Sequence, residues 1–120
     1  MALRGIRGAT LLAADDSAEM AEAVVELLTE VMDRNNVTLD DFVSVVFTAT
    51  PDLHCAFPAA AARQLGFVDI PLMCAQEIDV EGAVQRAIRI LAHVESDLPR
   101  GQIQHVYLRG AEVLRQDLAQ

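Results

Sequence analysis

A chain of 120 residues holds one domain, 1–120, and leaves little room for a second core. Eighteen acidic residues stand against nine basic ones, and the resulting charge of −9 argues against nucleic acid or an anionic membrane surface as a partner. Over half the chain is apolar but only 4% is aromatic, so Val, Leu, Ile and Ala must build the core, with apolar surface to spare for a homo-oligomer.

In chain order, residues 2–10 read as a first strand interrupted at Gly5 and Gly8. Asp16-Ser17-Ala18-Glu19 is a helix start, with Asp16 or Ser17 as cap and Glu19 reaching back. Met20, Val24, Leu27, Leu28 and Val31 then recur at helical spacing, with Glu22, Glu26 and Glu30 outward, which predicts a helix over 17–34 ended by Asn35-Asn36. Phe42 to Thr48 is β-branched and aromatic, hence a strand. Pro51-Asp52 marks a loop, where Asp52 shapes the turn. Pro58 opens a short alanine-rich helix that stops at Gly66. Ile70 to Gln76 is a buried strand. From Asp79, Val84, Ala87, Ile88 and Leu91 fall on one helical face, predicting a third helix that carries Arg86 and Arg89 at i, i+3. Ile103 to Arg109 alternates as a strand, in which Tyr107 and Arg109 point the same way, and Gly110 divides it from a continuation at Ala111–Leu114. This order describes an α+β (α/β-like) domain. Helices on one side of a short-stranded sheet leave a face and edges for oligomerisation to cover.

Two cysteines, Cys55 and Cys74, make neither a disulfide framework nor a metal motif, and the histidines lack metal spacing. Met1 to Gly8 has no signal-peptide pattern and no segment is long and apolar enough to span a bilayer, which together predict a cytoplasmic protein. Every cation is an arginine, the side chain whose planar fork grips carboxylates bidentately. A thiol and an acid, Cys74 and Glu77, end a strand just ahead of Arg86 and Arg89. Arg4, Arg7 and Arg115 join them if the fold brings the termini together. Such a set suits a small anion bearing carboxylates and a hydroxyl. On residues alone, Arg89 equally reads as a solvent-facing helix arginine and Cys74 as a small core residue.

Several separated motifs in order make the pattern specific: Arg4-Gly5-Ile6-Arg7-Gly8-Ala9-Thr10, Ala49-Thr50-Pro51-Asp52-Leu53-His54, Phe57-Pro58-Ala59, Cys74-Ala75-Gln76-Glu77, His105-Val106-Tyr107-Leu108 and Val113-Leu114-Arg115. From about residue 3 to residue 118 the chain resembles the trimeric, sheet-rich class of monofunctional chorismate mutases. The resemblance implies a [3,3] rearrangement of the chorismate dianion to prephenate, on the way to phenylalanine and tyrosine, without metal or cofactor. It implies a pseudo-α/β-barrel homotrimer with a mixed sheet core, outer helices and active sites between subunits. It places Arg89 against the breaking ether oxygen, Glu77 and Cys74 at the ring hydroxyl, and Arg7 on the side-chain carboxylate beside Tyr107. Phe57, Met73 and Leu114 are implied as cleft walls, with Arg63 and Arg115 nearer the mouth.

The chain departs from that pattern in two places. Ala60 stands where an entrance lysine is expected, leaving capture of the dianion to Arg63 or Arg115. Gln116 follows Arg115 where a proline is more usual, and the tail ends early, at Gln120, so the resemblance leaves closure of the cleft by the tail open while the central chemistry stands. Two other functions fit the same scaffold: a non-catalytic trimeric binder of small anions, and an imine or enamine hydrolase. Glu77, Arg89 and Arg7 together separate them, because a hydrolase needs a placed water and a general base, whereas this set is mainly arginine donors.

Overall fold

The computed structural model describes residues 1–115; Gln116 and the tail beyond it lie outside the described residues. Five strands form one mixed sheet: β1 (Ala2–Leu11), β2 (Phe42–Ala49), β3 (Leu72–Gln76), β4 (Ala87–Ser96) and β5 (Val106–Leu108), in spatial order β3-β2-β4-β1-β5. The central strand β4 runs antiparallel to both neighbours, while β3 and β5 pair in parallel with β2 and β1. Helices α1 (Ser17–Asn35) and α2 (Pro58–Leu65) complete the regular structure, with short 3-10 turns at Leu39–Asp41, Arg100–Gln102 and Ala111–Arg115.

The first helix follows its local signals. Asp16 caps it by accepting from the Glu19 amide at 2.8 Å, and Asn36 closes it in the left-handed region at φ 52°. Glu19 reaches back past the cap, accepting from the amides of Ala13 and Ala14. The buried Asn35 side chain bridges the Val31 carbonyl to both backbone groups of Gln104, which ties the helix end to the chain entering β5. α2 begins at Pro58 and ends at Gly66, whose φ of 122° favours glycine.

Several elements differ from the sequence expectation. Gly5 and Gly8 do not interrupt β1, which is one ten-residue strand. Gly8 lies where a Cβ would come within 2.9 Å of Ile90 Cγ1 and 3.2 Å of Leu27 Cδ1, so glycine there admits the close approach of α1. The third helix does not exist: residues 77–86 are a loop and Ala87–Ser96 is the central strand. Ile88, Ile90, Ala92, Val94 and Ser96 are buried at a period of two, and positive φ at Gly82 and Arg86 breaks any helix before it starts. Beyond β5, Arg109 turns left-handed at φ 54° and joins Glu22 and Glu26 of α1, so it does not share Tyr107's direction. Ala111–Arg115 is a 3-10 turn rather than a continued strand.

Strand register assigns the two faces of the sheet. Ile6, Val45, Phe47, Ile88, Ile90, Ala92, Val94 and Val106 pack with Met20, Val24, Leu27, Leu28 and Val31 of α1 and the alanines of α2 into one core. The opposite face carries Leu3, Arg7, Ser44, Val46, Thr48, Met73, Arg89, Leu91, His93 and Tyr107, and no helix among the described residues covers it. The molecule measures 40 × 36 × 21 Å, the thickness of two layers.

Candidate active site

The bare face is organised in rows that cross the sheet. One row reads Ala75, Thr48, Arg89, Ala9 and Tyr107, each the register partner of the next. Glu77 joins it because its amide donates to the Ala49 carbonyl at 2.9 Å, extending the β2–β3 ladder one step past the end of β3. Its Oε2 then accepts the Thr48 hydroxyl at 2.6 Å and forms an ion pair with Arg89 Nε at 3.0 Å. Glu77 is only 15% exposed and Arg89 is 47% exposed, so the acid is the fixed member and the guanidinium the presented one. Both donors use the same oxygen. Oε1 of Glu77 and the terminal nitrogens of Arg89 have no protein partner among the described residues.

The neighbouring row holds Met73, Val46, Leu91 and Arg7. The Arg7 amide donates to Nδ1 of His105 at 2.9 Å, which requires that nitrogen unprotonated. Burial, then the charges of Arg7 and Arg115, push His105 below its ordinary value of 6.5. Arg7, Arg4, Arg100, His105, Leu3 and Leu91 line a cavity of about 370 Å³. The guanidinium carbon of Arg115 sits 5.0 Å from the Tyr107 ring centroid, a cation–π contact that draws the chain's last described residue to the row of Thr48 and Arg89. Leu114 beside it is half-buried.

Cys74, Phe57 and Arg63 lie elsewhere. Cys74 pairs with Phe47, on the helix-covered face, and packs against the rim of the core. With Phe57, Cys55, His54 and Leu53 it lines a second cavity of about 390 Å³. Phe57 is 73% exposed, and Arg63 projects from α2 into solvent. Asp15 holds this cavity's loop: its carboxylate takes the amides of His54 and Cys55 at 2.9–3.0 Å. The Cys55 thiol first, then the His54 amide, lower the Asp15 pKa. Burial first, then Asp15, raise that of the Cys55 thiol.

The structure therefore brings together Glu77, Arg89, Arg7, Tyr107, Arg115 and Met73, and sets Cys74, Phe57 and Arg63 apart from them within one chain. Arg86 does not stand beside Arg89; its Nε donates to the Leu12 carbonyl at 3.1 Å. Sequence reasoning passed over Thr48 and His105. Thr48 had a legible signal, since strand alternation turns it opposite to buried Phe47. His105 had none, because its contact with Arg7 spans 98 positions.

A family model described as chorismate mutase type I matches residues 3–118. The chain belongs to the type I chorismate mutase family. Chorismate mutase AroH of Bacillus subtilis (strain 168) is 42% identical over 120 residues, covering 99% of this chain and 94% of that protein. Chorismate mutase AroH of Thermus thermophilus is 43% identical over 117 residues, covering 97% and 96%. A solved chorismate mutase from Clostridium thermocellum superposes with a TM-score of 0.89 at 43% identity, over 91% of this chain and 97% of that one. Membership carries the activity with it: a chorismate mutase is an isomerase, and the α+β fold with its five-stranded mixed sheet matches that structural neighbour.

Proposed function

We propose that this chain converts chorismate to prephenate by electrostatic stabilisation at Arg89, in clefts that a homotrimer completes. In the rearrangement one C–O bond breaks as one C–C bond forms within the same molecule, so atoms and electrons balance with no nucleophile, no proton transfer and no cofactor. Negative charge grows on the ether oxygen as the bond lengthens. A guanidinium held there binds the transition state more tightly than the ground state.

The observation that carries this reading is the division of labour around Glu77. Oε2 accepts the Thr48 hydroxyl and pairs with Arg89 Nε at 3.0 Å, which holds the guanidinium beside the acid and leaves its terminal nitrogens without a protein partner among the described residues. Oε1 is left to accept the substrate's ring hydroxyl. Arg7 meets the side-chain carboxylate one row away, beside Tyr107, and Arg115 on the Tyr107 ring stands nearer the mouth. Two carboxylate contacts of this kind hold the diaxial conformer close to reaction, the kind of positioning that contributes heavily to unimolecular steps.

The trimer is supported by what one chain leaves undone. Met73, Leu91 and Leu3 are 59%, 42% and 60% exposed on the bare face. Cys74, Phe57, Arg63 and the cavity they border face the other way. A second copy laid against the bare face supplies these as the facing wall, with Cys74 near the ring hydroxyl and Phe57, Met73 and Leu114 closing the sides. The protein works in the cytoplasm as a single 1–120 domain; both cysteines are free thiols and no helix among the described residues is long and apolar enough to cross a membrane.

The test is the loss of the chorismate diene absorbance with purified protein, without added metal or cofactor. Acceleration in the range of a million-fold corresponds to about 8 kcal/mol off the barrier. A rate no faster than buffer would sink the proposal.

A further inference from the structure

The connection from β3 to β4, residues 77–86, begins at Glu77 and ends three residues before Arg89. Little packing holds it. Ile78 and Val80 are 85% and 59% exposed, and a Cβ built on Gly82 would meet no atom within 4 Å. Its two ends nevertheless return to the same place, the C-terminal end of β2. Glu77 is tied there through the Ala49 carbonyl. Arg86 is tied there by Asp52, whose Oδ2 and Oδ1 accept the Arg86 amide at 3.0 and 3.2 Å across 34 positions.

Thr50 completes the knot. It is 6% exposed, its Oγ1 donates to Asp52 Oδ1 at 2.6 Å and accepts the Ala87 amide at 3.0 Å, and its own amide donates to the Ala87 carbonyl at 3.0 Å. Arg86 adopts φ 52°, a left-handed conformation that a non-glycine residue keeps only where its surroundings over-determine it. Besides Asp52, Leu12 holds it from the other side: the Leu12 amide donates to the Arg86 carbonyl at 2.8 Å and the Leu12 carbonyl accepts Arg86 Nε. The strand that starts at Ala87 therefore has one register against β2, and Thr48 faces Arg89 two steps into it. A slip of one residue would send Arg89 to the core face.

We infer that Asp52 is a positioning residue for the rearrangement: its carboxylate closes the base of the 77–86 loop and so sets Arg89 against Glu77. Both groups it binds, the Arg86 amide and the Thr50 hydroxyl, are donors, so it is a clamp and not an acid or base in the reaction. The inference rests on the role proposed above for Arg89, and it goes further than turn formation after Pro51, because the residue it grips lies 34 positions away, at the entrance to β4.

Asp52→Asn keeps the size of the side chain but turns an amide NH2 toward donors. Its kcat falls on the order of 10- to 100-fold, the effect of a small displacement at the reacting centre, while KM stays within about twofold of the parent. Thr50→Val, which removes only the hydroxyl, reproduces that loss, and Thr50→Ser restores kcat. Asp41→Asn is the control: Asp41 caps the 3-10 turn at Thr38 far from the site, and its loss lowers stability without touching kcat. The decisive measurement is kcat per folded molecule in wild type, Asp52→Asn, Arg89→Ala and the double variant. If Asp52 acts through Arg89, its substitution changes nothing further in the Arg89→Ala background. Equal fold-losses in both backgrounds, or a wild-type kcat in folded Asp52→Asn and Thr50→Val, would overturn the clamp. A wild-type kcat in Arg89→Ala would instead overturn the reading of Arg89, and the clamp with it.

Discussion

Glu77 takes two donors on one oxygen, and that asymmetry decides how its neighbours behave. In the proposed reaction Arg89, paired with Glu77 through Nε, offers its remaining nitrogens to the substrate, so its loss would remove charge stabilisation from the transition state. Arg89→Ala should lower kcat at least 100-fold, the scale on which a preorganised donor to a developing oxyanion contributes. Arg63, exposed on α2, should behave differently: Arg63→Ala raises KM and leaves kcat nearly intact. Steady-state kinetics on both variants check this, and equal small effects would remove Arg89 from its place. His105 supplies a pH prediction. Its folded pKa is held below 6.5 by burial and by Arg7 and Arg115, so the folded state binds the proton less well than the unfolded chain. Its contribution to stability is present above pH 6.5 and is lost as the pH falls through the lower folded value. Urea midpoints at pH 7 and on the acid side of 6.5 should separate more in wild type than in His105→Gln, which does not titrate. An identical acid-side drop in both proteins would contradict that assignment.

At the scale of elements, the sequence was legible where the signals are local. Asp16, Glu19 and Asn36 mark the ends of α1 within a few residues of themselves, and Pro58 and Gly66 do the same for α2. β4 was misread because Val84, Ala87, Ile88 and Leu91 satisfy helical spacing over a short window, while the alternation of Ile88, Ile90, Ala92 and Val94 satisfies a strand. Its partners decide the matter: β1 and β2 pair with it on both sides, at sequence separations that no window contains. With β4 taken as a helix, the row joining Thr48 to Arg89 was invisible, and so was the opposite facing of Cys74. The candidate site residues were read from separated motifs; their division between the two faces of the sheet needed the strand register. Gly8 shows the same non-local logic, since only the packed helix explains it. Gly8→Ala drives a methyl into Ile90 and Leu27 and should cost about 1–3 kcal/mol of stability, the usual range for overpacking a tight core. Denaturant unfolding measures it, and an unchanged or raised midpoint would show that α1 yields without strain.

For the whole molecule, a 21 Å slab with helices on one side leaves a sheet face that carries both the catalytic row and exposed apolar side chains. A monomer would keep Leu3, Leu91 and Met73 in water and, in the proposed trimer's terms, leave Arg89 without the wall that Cys74 and Phe57 of a second copy would provide. The acidic chain, at −9, places Arg7, Arg89 and Arg115 on the same side of the sheet as Tyr107, and so concentrates cations where the proposal puts the dianion. Leu3 lies three rows from Arg89 on that face, so Leu3→Asp tests assembly without entering the catalytic row. Chorismate turnover measured on size-resolved wild-type and Leu3→Asp protein is the most direct trial of the shared cleft. The account predicts a wild-type trimer that holds all of the activity and a folded Leu3→Asp monomer that has lost it. A folded monomer that turns over chorismate at the wild-type rate would contradict it.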